Sequence, residues 1–173
     1  MYMKLNFHED YLRSMLFGLQ DGIVSTTGVV AGISVGIEDR SIIILASLVA
    51  VSVEASSMGA GQYSSEKAVH QMDAKNNKGK TTHTDSLIVG ALIMFFAYLA
   101  AGAIPIVPMI FTQIPLDQAR IMSIVGAFIG LFLIGYVKGK IVDHAALRSA
   151  FEMLLIGGIA TIVGLVVGVT LGV

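Results

Sequence analysis

The stretch SLIVGALIMFFAYLAAGAIPIVPMIFTQIPL, residues 86–116, holds no charged side chain in 31 consecutive positions. A helix that crosses the hydrocarbon core of a bilayer needs about 20 mostly apolar residues. This run therefore predicts a transmembrane helix. The composition of the whole chain agrees, because only 13% of its 173 residues are charged, whereas soluble domains carry about 25%.

Four further spans are predicted around this one. Two uncharged runs, 121–137 and 153–173, predict helices, and two apolar segments nearer the N-terminus are each interrupted by acids. No connector is long enough for a separate domain, so residues 1–173 are expected to form a single all-α, five-helix transmembrane domain. The expected spans are about 14–37, 41–66, 86–111, 119–138 and 150–172.

The distribution of lysine and arginine predicts the orientation of these spans. With the N-terminus inside, the cytoplasmic segments hold nine such residues and the outer segments hold only Arg40 and Arg120. Cytoplasmic segments are enriched in positive charge, so the N-terminus is expected inside and the C-terminus outside. The polar N-terminus has no apolar core typical of a signal peptide. The segment from Asp73 to Thr84 is expected to be a flexible cytoplasmic loop.

Several classes of function are disfavoured by the composition. The chain has no cysteine, which excludes disulfides and thiolate metal sites. Its net charge of -1 argues against a nucleic-acid partner. No phosphate-binding glycine loop and no nucleophile–base arrangement is evident, so an enzyme is not expected. The membrane is expected to be a prokaryotic cell membrane, with a vacuolar-type membrane as the alternative.

Two acids, Asp21 and Glu54, interrupt the first two spans. Ionisable residues inside a membrane are costly and are functional-site candidates by default. A count of about 1.5 Å per residue from the cytoplasmic side, started at Arg13 and Glu66, places Asp21 level with Met58 and Glu54 one turn deeper. For each acid the alternative is a structural hydrogen bond or ion pair between helices.

Polar residues recur along one face of the second span at three- and four-residue steps. Gln62 and Glu66 lie at its cytoplasmic end and are candidates for the mouth of a cation path. Glu66 could equally be an ordinary interfacial charge. The whole face comprises Glu54, Ser57, Met58, Gly61, Gln62, Ser65 and Glu66.

The chemistry of this set is that of a metal site coupled to protons. Carboxylates bind hard and borderline cations, and a thioether adds a preference for softer metals such as iron. A desolvated carboxylate holds a proton when no metal is present, and a metal must displace that proton. Asp21, Glu54 and Met58 are therefore the predicted metal ligands of an antiporter.

Three stretches also resemble the vacuolar iron transporter family. They are FGLQDGIVSTTGVVAGISVG (residues 17–36), SMGAGQYSSEKA (57–68) and ALRSAFEMLLIGGIATIVGLVVG (146–168). The resemblance implies a homodimer of five-helix subunits that exchanges ferrous iron, and often manganese, for protons. It also implies that the metal path runs at the subunit interface.

Two residues carry over from the family pattern, and one does not. Asp21 matches the first-helix aspartate and Met58 the second-helix methionine. The family glutamate usually stands eight residues before this methionine, where the chain has Ala50. Glu54 is one turn later on the same face, so its role is inferred from geometry. The link between the second and third spans has no glutamate cluster, which indicates a compact member that lacks the cytoplasmic metal-binding domain.

The sequence thus predicts a proton-coupled exporter of Fe²⁺, and of Mn²⁺ second, from the cytoplasm, with no permanently bound cofactor. A broad-range exporter of cobalt, nickel or zinc is one alternative. A non-transporting membrane scaffold or metal sensor is another. Glycines at four-residue spacing are expected to pack helices closely, either within the chain or at a subunit interface, and Gly28, Gly32 and Gly36 of the first span are expected to support the dimer.

Overall fold

A computed structural model describes residues 9–75 and 86–171 and forms five helices. All five are long and apolar enough to cross a membrane, and the described ranges contain no strand. The expected all-α membrane fold with five spanning helices is thereby confirmed. The helices are α1 (Glu9–Gly36), α2 (Arg40–Lys75), α3 (Leu87–Ile110), α4 (Leu116–Ile141) and α5 (Ala146–Leu171).

The outer surface of the bundle is apolar and its interior is rich in small side chains. Large residues such as Leu45, Phe96 and Leu155 are more than 60% exposed, as expected where lipid is the solvent. Ala55, Ser47 and Ala127 are completely buried. Helices in lipid gain little from excluding water, so they associate through the close packing that small residues permit.

The second helix is longer than the predicted span. It continues nine residues beyond Glu66 and ends at Lys75, because the segment after Glu66 is rich in good helix formers such as lysine, alanine and glutamine. Residues Asp73 to Lys75, expected in a loop, are therefore helical. The remainder of that predicted loop, from residue 76, lies outside the described residues.

The first helix lies against the other four helices, and its closest approaches occur at glycines. A Cβ added to Gly22 would overlap the backbone carbonyl of Tyr98 on α3. A Cβ added to Gly32 would lie 2.7 Å from the carbonyl oxygen of Gly164 on α5. The glycine spacing thus brings helices together within the chain, and Gly32 in particular packs on its own α5 rather than standing free for a partner subunit.

The end of the bundle opposite the N-terminus is closed by arginine side chains that bind backbone carbonyls. Arg40 donates hydrogen bonds to the carbonyl oxygens of Phe111 and Ile114. Arg120 donates to the carbonyl oxygen of Ile37 at 3.2 Å. These bonds fix the start of α2 and the end of α1 to the α3–α4 connection. They therefore hold the far ends of α1 and α2, the helices that carry both intramembrane acids, in register.

Candidate functional site

Asp21 lies on α1, half-buried inside the bundle. Ser25, one helical turn further along, donates a hydrogen bond to Asp21 Oδ1 at 3.5 Å. Residues four apart share a helix face, which is why this pair meets. Glu54 of α2 is close enough to interact electrostatically with Asp21. The two intramembrane acids therefore form one site.

Glu54 is held by a tyrosine from a third helix. The hydroxyl of Tyr98 on α3 donates a hydrogen bond to Glu54 Oε2, and the Tyr98 side chain is completely buried. The backbone of Tyr98 is in turn packed against Gly22, the neighbour of Asp21. Glu54 therefore lies at the level of Asp21.

This level differs from the sequence expectation, in which Met58 stood beside Asp21. The short bond from Gln62 Nε2 to Ser14 Oγ, at 2.8 Å, sets the register between α1 and α2. Gly22 lies eight residues after Ser14 on α1, and Glu54 lies eight residues before Gln62 on α2, which runs in the opposite direction. Gly22 and Glu54 are therefore at the same level. The expectation failed because it took Arg13 and Glu66 as level, whereas the long Arg13 side chain spans the offset.

Met58 lies one turn from Glu54, towards the C-terminal end of α2. It is half-buried and packs against a core cluster that also receives Phe95 and Leu99. Methionine is a frequent packing residue in such positions. Its place near the two acids suits a ligand as well, so its role as a metal ligand stays a prediction.

An open groove of about 670 Å³ runs along α1 and α5 beside the site. Most of its walls are aliphatic side chains and glycine backbone, including Gly28 and Gly164. Glu54 and Ser25 supply polar atoms to this lining. The Glu54 carboxylate thus borders a space that is large enough for more than an ion and otherwise poor in polar groups.

The residues proposed for the cytoplasmic mouth form a second cluster. Gln62 Nε2 donates to Glu66 Oε1 at 2.5 Å, and Arg13 Nη2 lies 3.4 Å from the same oxygen. The Glu66 side chain is 14% exposed. Glu66 is therefore ion-paired to α1, and its role at the mouth of a cation path stays a prediction.

The predicted polar face of α2 divides into two. Glu54, Met58, Gln62 and Glu66, spaced by four, are half-buried and point towards α1 and α3. The other members, Ser57, Gly61 and Ser65, are exposed. Only the four-residue spacing therefore marks the side of α2 that meets the rest of the bundle.

One subunit offers an incomplete set of metal ligands. Across residues 9–75 and 86–171, no three histidine, aspartate or glutamate side chains gather in a group that could hold a metal ion. Asp21 and Glu54 supply two carboxylates, and Met58 one thioether nearby. Divalent ions in proteins usually take four to six ligands, so a metal bound between these residues would need further donors from outside the subunit or from water.

Tyr98 is the residue of this site that the sequence reasoning missed. It is the one tyrosine in the uncharged run 86–116. A buried tyrosine hydroxyl usually finds a hydrogen-bond partner, so a lone tyrosine in an apolar span was a usable signal for a polar neighbour. The pattern does not say which helix supplies that neighbour.

Comparisons with known proteins agree with this architecture. The sequence model of the VIT family matches residues 12–87 and 68–169. "Vacuolar iron transporter 1" of Arabidopsis thaliana is 26% identical, with 88% of this chain and 82% of that protein aligned. The protein of the same name from Eucalyptus grandis is 23% identical, over 88% and 83%. "Vacuolar iron transporter 2" of Oryza sativa subsp. japonica is 31% identical over 43% of this chain and 30% of its own.

These matches confirm the resemblance noted from the sequence motifs, and with the five apolar helices they establish an integral membrane protein. The relatives named above are plant proteins, and the expected prokaryotic membrane stays a prediction. The two matched segments overlap and together extend from residue 12 to residue 169. The chain therefore belongs to the VIT family.

Proposed function

We propose that this protein transports divalent metal, ferrous iron first and manganese second, in exchange for protons. The observation that carries the proposal is the meeting of Asp21 and Glu54 inside the bundle, beside an open groove. Three relatives named as vacuolar iron transporters support iron as the cargo. The transported ion is substrate, and no resident cofactor is part of the proposal.

The two acids provide the coupling. Ionised carboxylates inside a membrane are costly unless a counter-charge accompanies them. That counter-charge is either a proton on each oxygen or a divalent cation between them, and binding of one releases the other. A site that must always hold protons or metal moves them in opposite directions when its two sides are opened alternately.

A second copy of the chain completes the site. The two carboxylates of one subunit fall short of a full ligand set, whereas a homodimer that closes over the groove brings four. Because Gly32 is already packed against Gly164, the partner is expected to cover the open part of the groove near Ser25 and Glu54. A replacement of Gly32 by leucine disrupts the subunit itself and is not a clean test of the dimer.

The direction of transport follows from the proposed orientation, N-terminus inside and C-terminus outside, which makes the protein an exporter from the cytoplasm. The chain has no cysteine, so Lys75→Cys and Thr112→Cys each introduce a single exposed label site. We expect an impermeant thiol reagent outside intact cells to modify position 112 and not position 75. The reverse pattern contradicts the orientation.

The test of the function is flux into proteoliposomes across an imposed pH gradient, followed for Fe²⁺ and Mn²⁺. Asp21→Asn and Glu54→Gln keep size and hydrogen-bonding capacity but remove the charge and the titrating proton. Each is expected to abolish proton-coupled flux while the protein stays folded. Glu152→Gln is the matched control, because Glu152 is exposed on α5 and pairs with Arg148 at 3.2 Å.

Three outcomes contradict the proposal in distinct ways. Wild-type flux in both acid variants means that the acids are structural, as in a membrane scaffold or sensor. Loss in Asp21→Asn alone means that Glu54 has not taken the role of the family glutamate. Faster transport of cobalt, nickel or zinc than of iron identifies a broad-range exporter.

A further inference from the structure

Tyr98 occupies an unusually constrained position for a polar residue. Its ring belongs to a core cluster that also contains Val51 and Ala55 of α2. Its backbone carbonyl lies so close to Gly22 of α1 that no side chain fits between them. The phenol is therefore fixed between α1 and α2, and its hydroxyl cannot leave Glu54 without a change in the packing of three helices.

The contacts of the Tyr98 hydroxyl link it to both acids. It donates to Oε2 of Glu54, and Ser25 and Asp21 are also within its electrostatic reach. Ser25 in turn donates to Asp21 Oδ1. Two hydroxyl groups thus stand between the two carboxylates, one on α1 and one on α3.

A phenol differs from a cation as a partner for a carboxylate. It carries no charge at neutral pH, so it does not balance the negative charge of Glu54 and does not compete with a metal for that role. Its oxygen can also accept a hydrogen bond when the glutamate is protonated. Tyr98 can therefore keep Glu54 in place both before and after a proton leaves.

We propose that Tyr98 is a positioning residue for Glu54: it fixes one carboxylate oxygen so that the other is presented to an ion in the groove. The proposal rests on the proposed transport function. It also explains how an acid at position 54, one turn from the place of the family glutamate, is held beside Asp21. Position 50, the place of the family glutamate, lies one turn before Glu54 in α2. Glu54 is the residue whose carboxylate accepts the hydrogen bond from Tyr98.

The first test is Tyr98→Phe, which keeps the ring and removes the hydroxyl. We expect the KM for metal in proteoliposomes to rise about tenfold, because the charged carboxylate loses a hydrogen bond, while the maximal rate changes by less than about twofold. The half-maximal point of the pH profile should move to higher pH, since the proton then competes better with the metal. Asp21 and Tyr98 are titratable groups that interact with Glu54, and the α5 residues lining the groove are uncharged.

The matched control is Tyr136→Phe. Tyr136 lies on α4, where its ring stacks on Phe132 with centroids 6.4 Å apart, and it takes no part in the site. This variant should leave KM and the pH profile unchanged. A purely structural role of Tyr98 would lower the yield of folded protein and the maximal rate, without a shift of KM or of the pH profile.

A second variant preserves the fold even if phenylalanine does not. Site-specific incorporation of a fluorinated tyrosine at position 98 retains ring and hydroxyl but makes the hydroxyl a stronger donor. The half-maximal point should then move to lower pH, opposite to the shift in Tyr98→Phe.

An unchanged KM and pH profile in Tyr98→Phe, or an unchanged profile with the fluorinated residue, overturns the inference. This failure is distinct from failure of the transport proposal. If Asp21→Asn and Glu54→Gln abolish flux while Tyr98→Phe behaves as wild type, the function stands and only the role of Tyr98 falls. If the acid variants transport normally, the function itself falls.

Discussion

The two half-buried glutamates of α2, Glu54 and Glu66, belong to the same row of four-residue steps, yet have opposite kinds of partner. Glu66 is met by the Arg13 guanidinium at 3.4 Å and by the Gln62 amide. Glu54 is met by the neutral Tyr98 hydroxyl and borders the open groove. The residue type and the four-residue row are shared, and the neighbours of the two glutamates differ.

The difference is the one that the proposed function requires between a structural acid, which has a cation as partner, and an acid that handles ions. Glu66 is ion-paired with the Arg13 guanidinium, so a fixed positive charge lies beside its carboxylate. The carboxylate of Glu54 accepts a hydrogen bond from a neutral hydroxyl, and the neighbouring carboxylate of Asp21 carries a charge of the same sign. A position that lacks a fixed counter-charge is a position where a proton or a metal ion is needed.

The largest expected effect is on metal flux, and it should differ between the same glutamine substitution made at Glu54 and at Glu66. Glu54→Gln should lower proton-coupled metal flux at least about 100-fold, a loss at or beyond the upper end of what groups around a metal cause. Glu66→Gln should change flux by less than about threefold, because ion pairs near a surface contribute only about 0–1 kcal/mol. Both are measured as initial rates in the same proteoliposomes. Equal losses in the two variants would remove the distinction.

The pH response should differ in the same way. Acidifying the side to which metal is released should speed wild-type flux by up to about tenfold per pH unit for each proton exchanged, since protons displace the metal from its carboxylates. Glu66→Gln should keep this response, and the residual flux of Glu54→Gln should lose it. A stopped-flow series at fixed metal and varied internal pH measures both slopes. Acid-stimulated flux in Glu54→Gln would place the coupling elsewhere.

Met58, between the two glutamates, offers a smaller and metal-selective effect. Met58→Leu keeps the volume but removes the thioether. We expect the KM for iron to rise about fivefold and that for manganese to change by less than about twofold, because manganese gains less from sulfur ligands. Competition between the two ions in one preparation gives the ratio directly, with Met72→Leu, an exposed methionine of the same helix, as control. Equal shifts for both metals would assign Met58 to packing.

The smallest expected effect concerns Arg13, the cationic partner of Glu66. Arg13→Gln removes the partner of Glu66, but the Arg13 side chain is 65% exposed and its ion pair is screened by solvent. The free energy of unfolding should fall by less than about 1 kcal/mol, which denaturation in detergent can measure. If this variant lost transport as completely as Glu54→Gln, Arg13 would belong to the ion path, and the contrast between the two glutamates would be wrong.

The features that sequence predicted are those with a local signal. Three helices follow from uncharged runs and two from apolar segments interrupted by acids, and Asp21 and Glu54 stand out because charge is rare within such segments. The end of α2 was placed too early because the membrane boundary was taken as the helix boundary, whereas the good helix formers after Glu66 continue the helix to Lys75.

The features it did not predict depend on which helices meet. The spacing of Gly28 and Gly32 predicts that α1 packs closely against another helix. It does not predict that this helix is α5. The level of Glu54 relative to α1 depends on the hydrogen bond between Ser14 and Gln62, two residues that are 48 positions apart in the sequence. Tyr98 carries no charge and does not stand out in the sequence. Its hydrogen bond to Glu54 can be identified only in the folded structure.

The glycine contact between α1 and α5 has a consequence for the order in which the protein is built. The face of α1 that bears Gly28 and Gly32 is contacted by Gly164 and Gly168, which belong to α5 and are therefore synthesised after α2, α3 and α4. During synthesis, this face of α1 therefore has no α5 to pack against until α2, α3 and α4 have been made. The groove beside Glu54 acquires the wall formed by α5 only after that helix has been made, so a nascent chain that stops short of α5 carries both acids but lacks this wall.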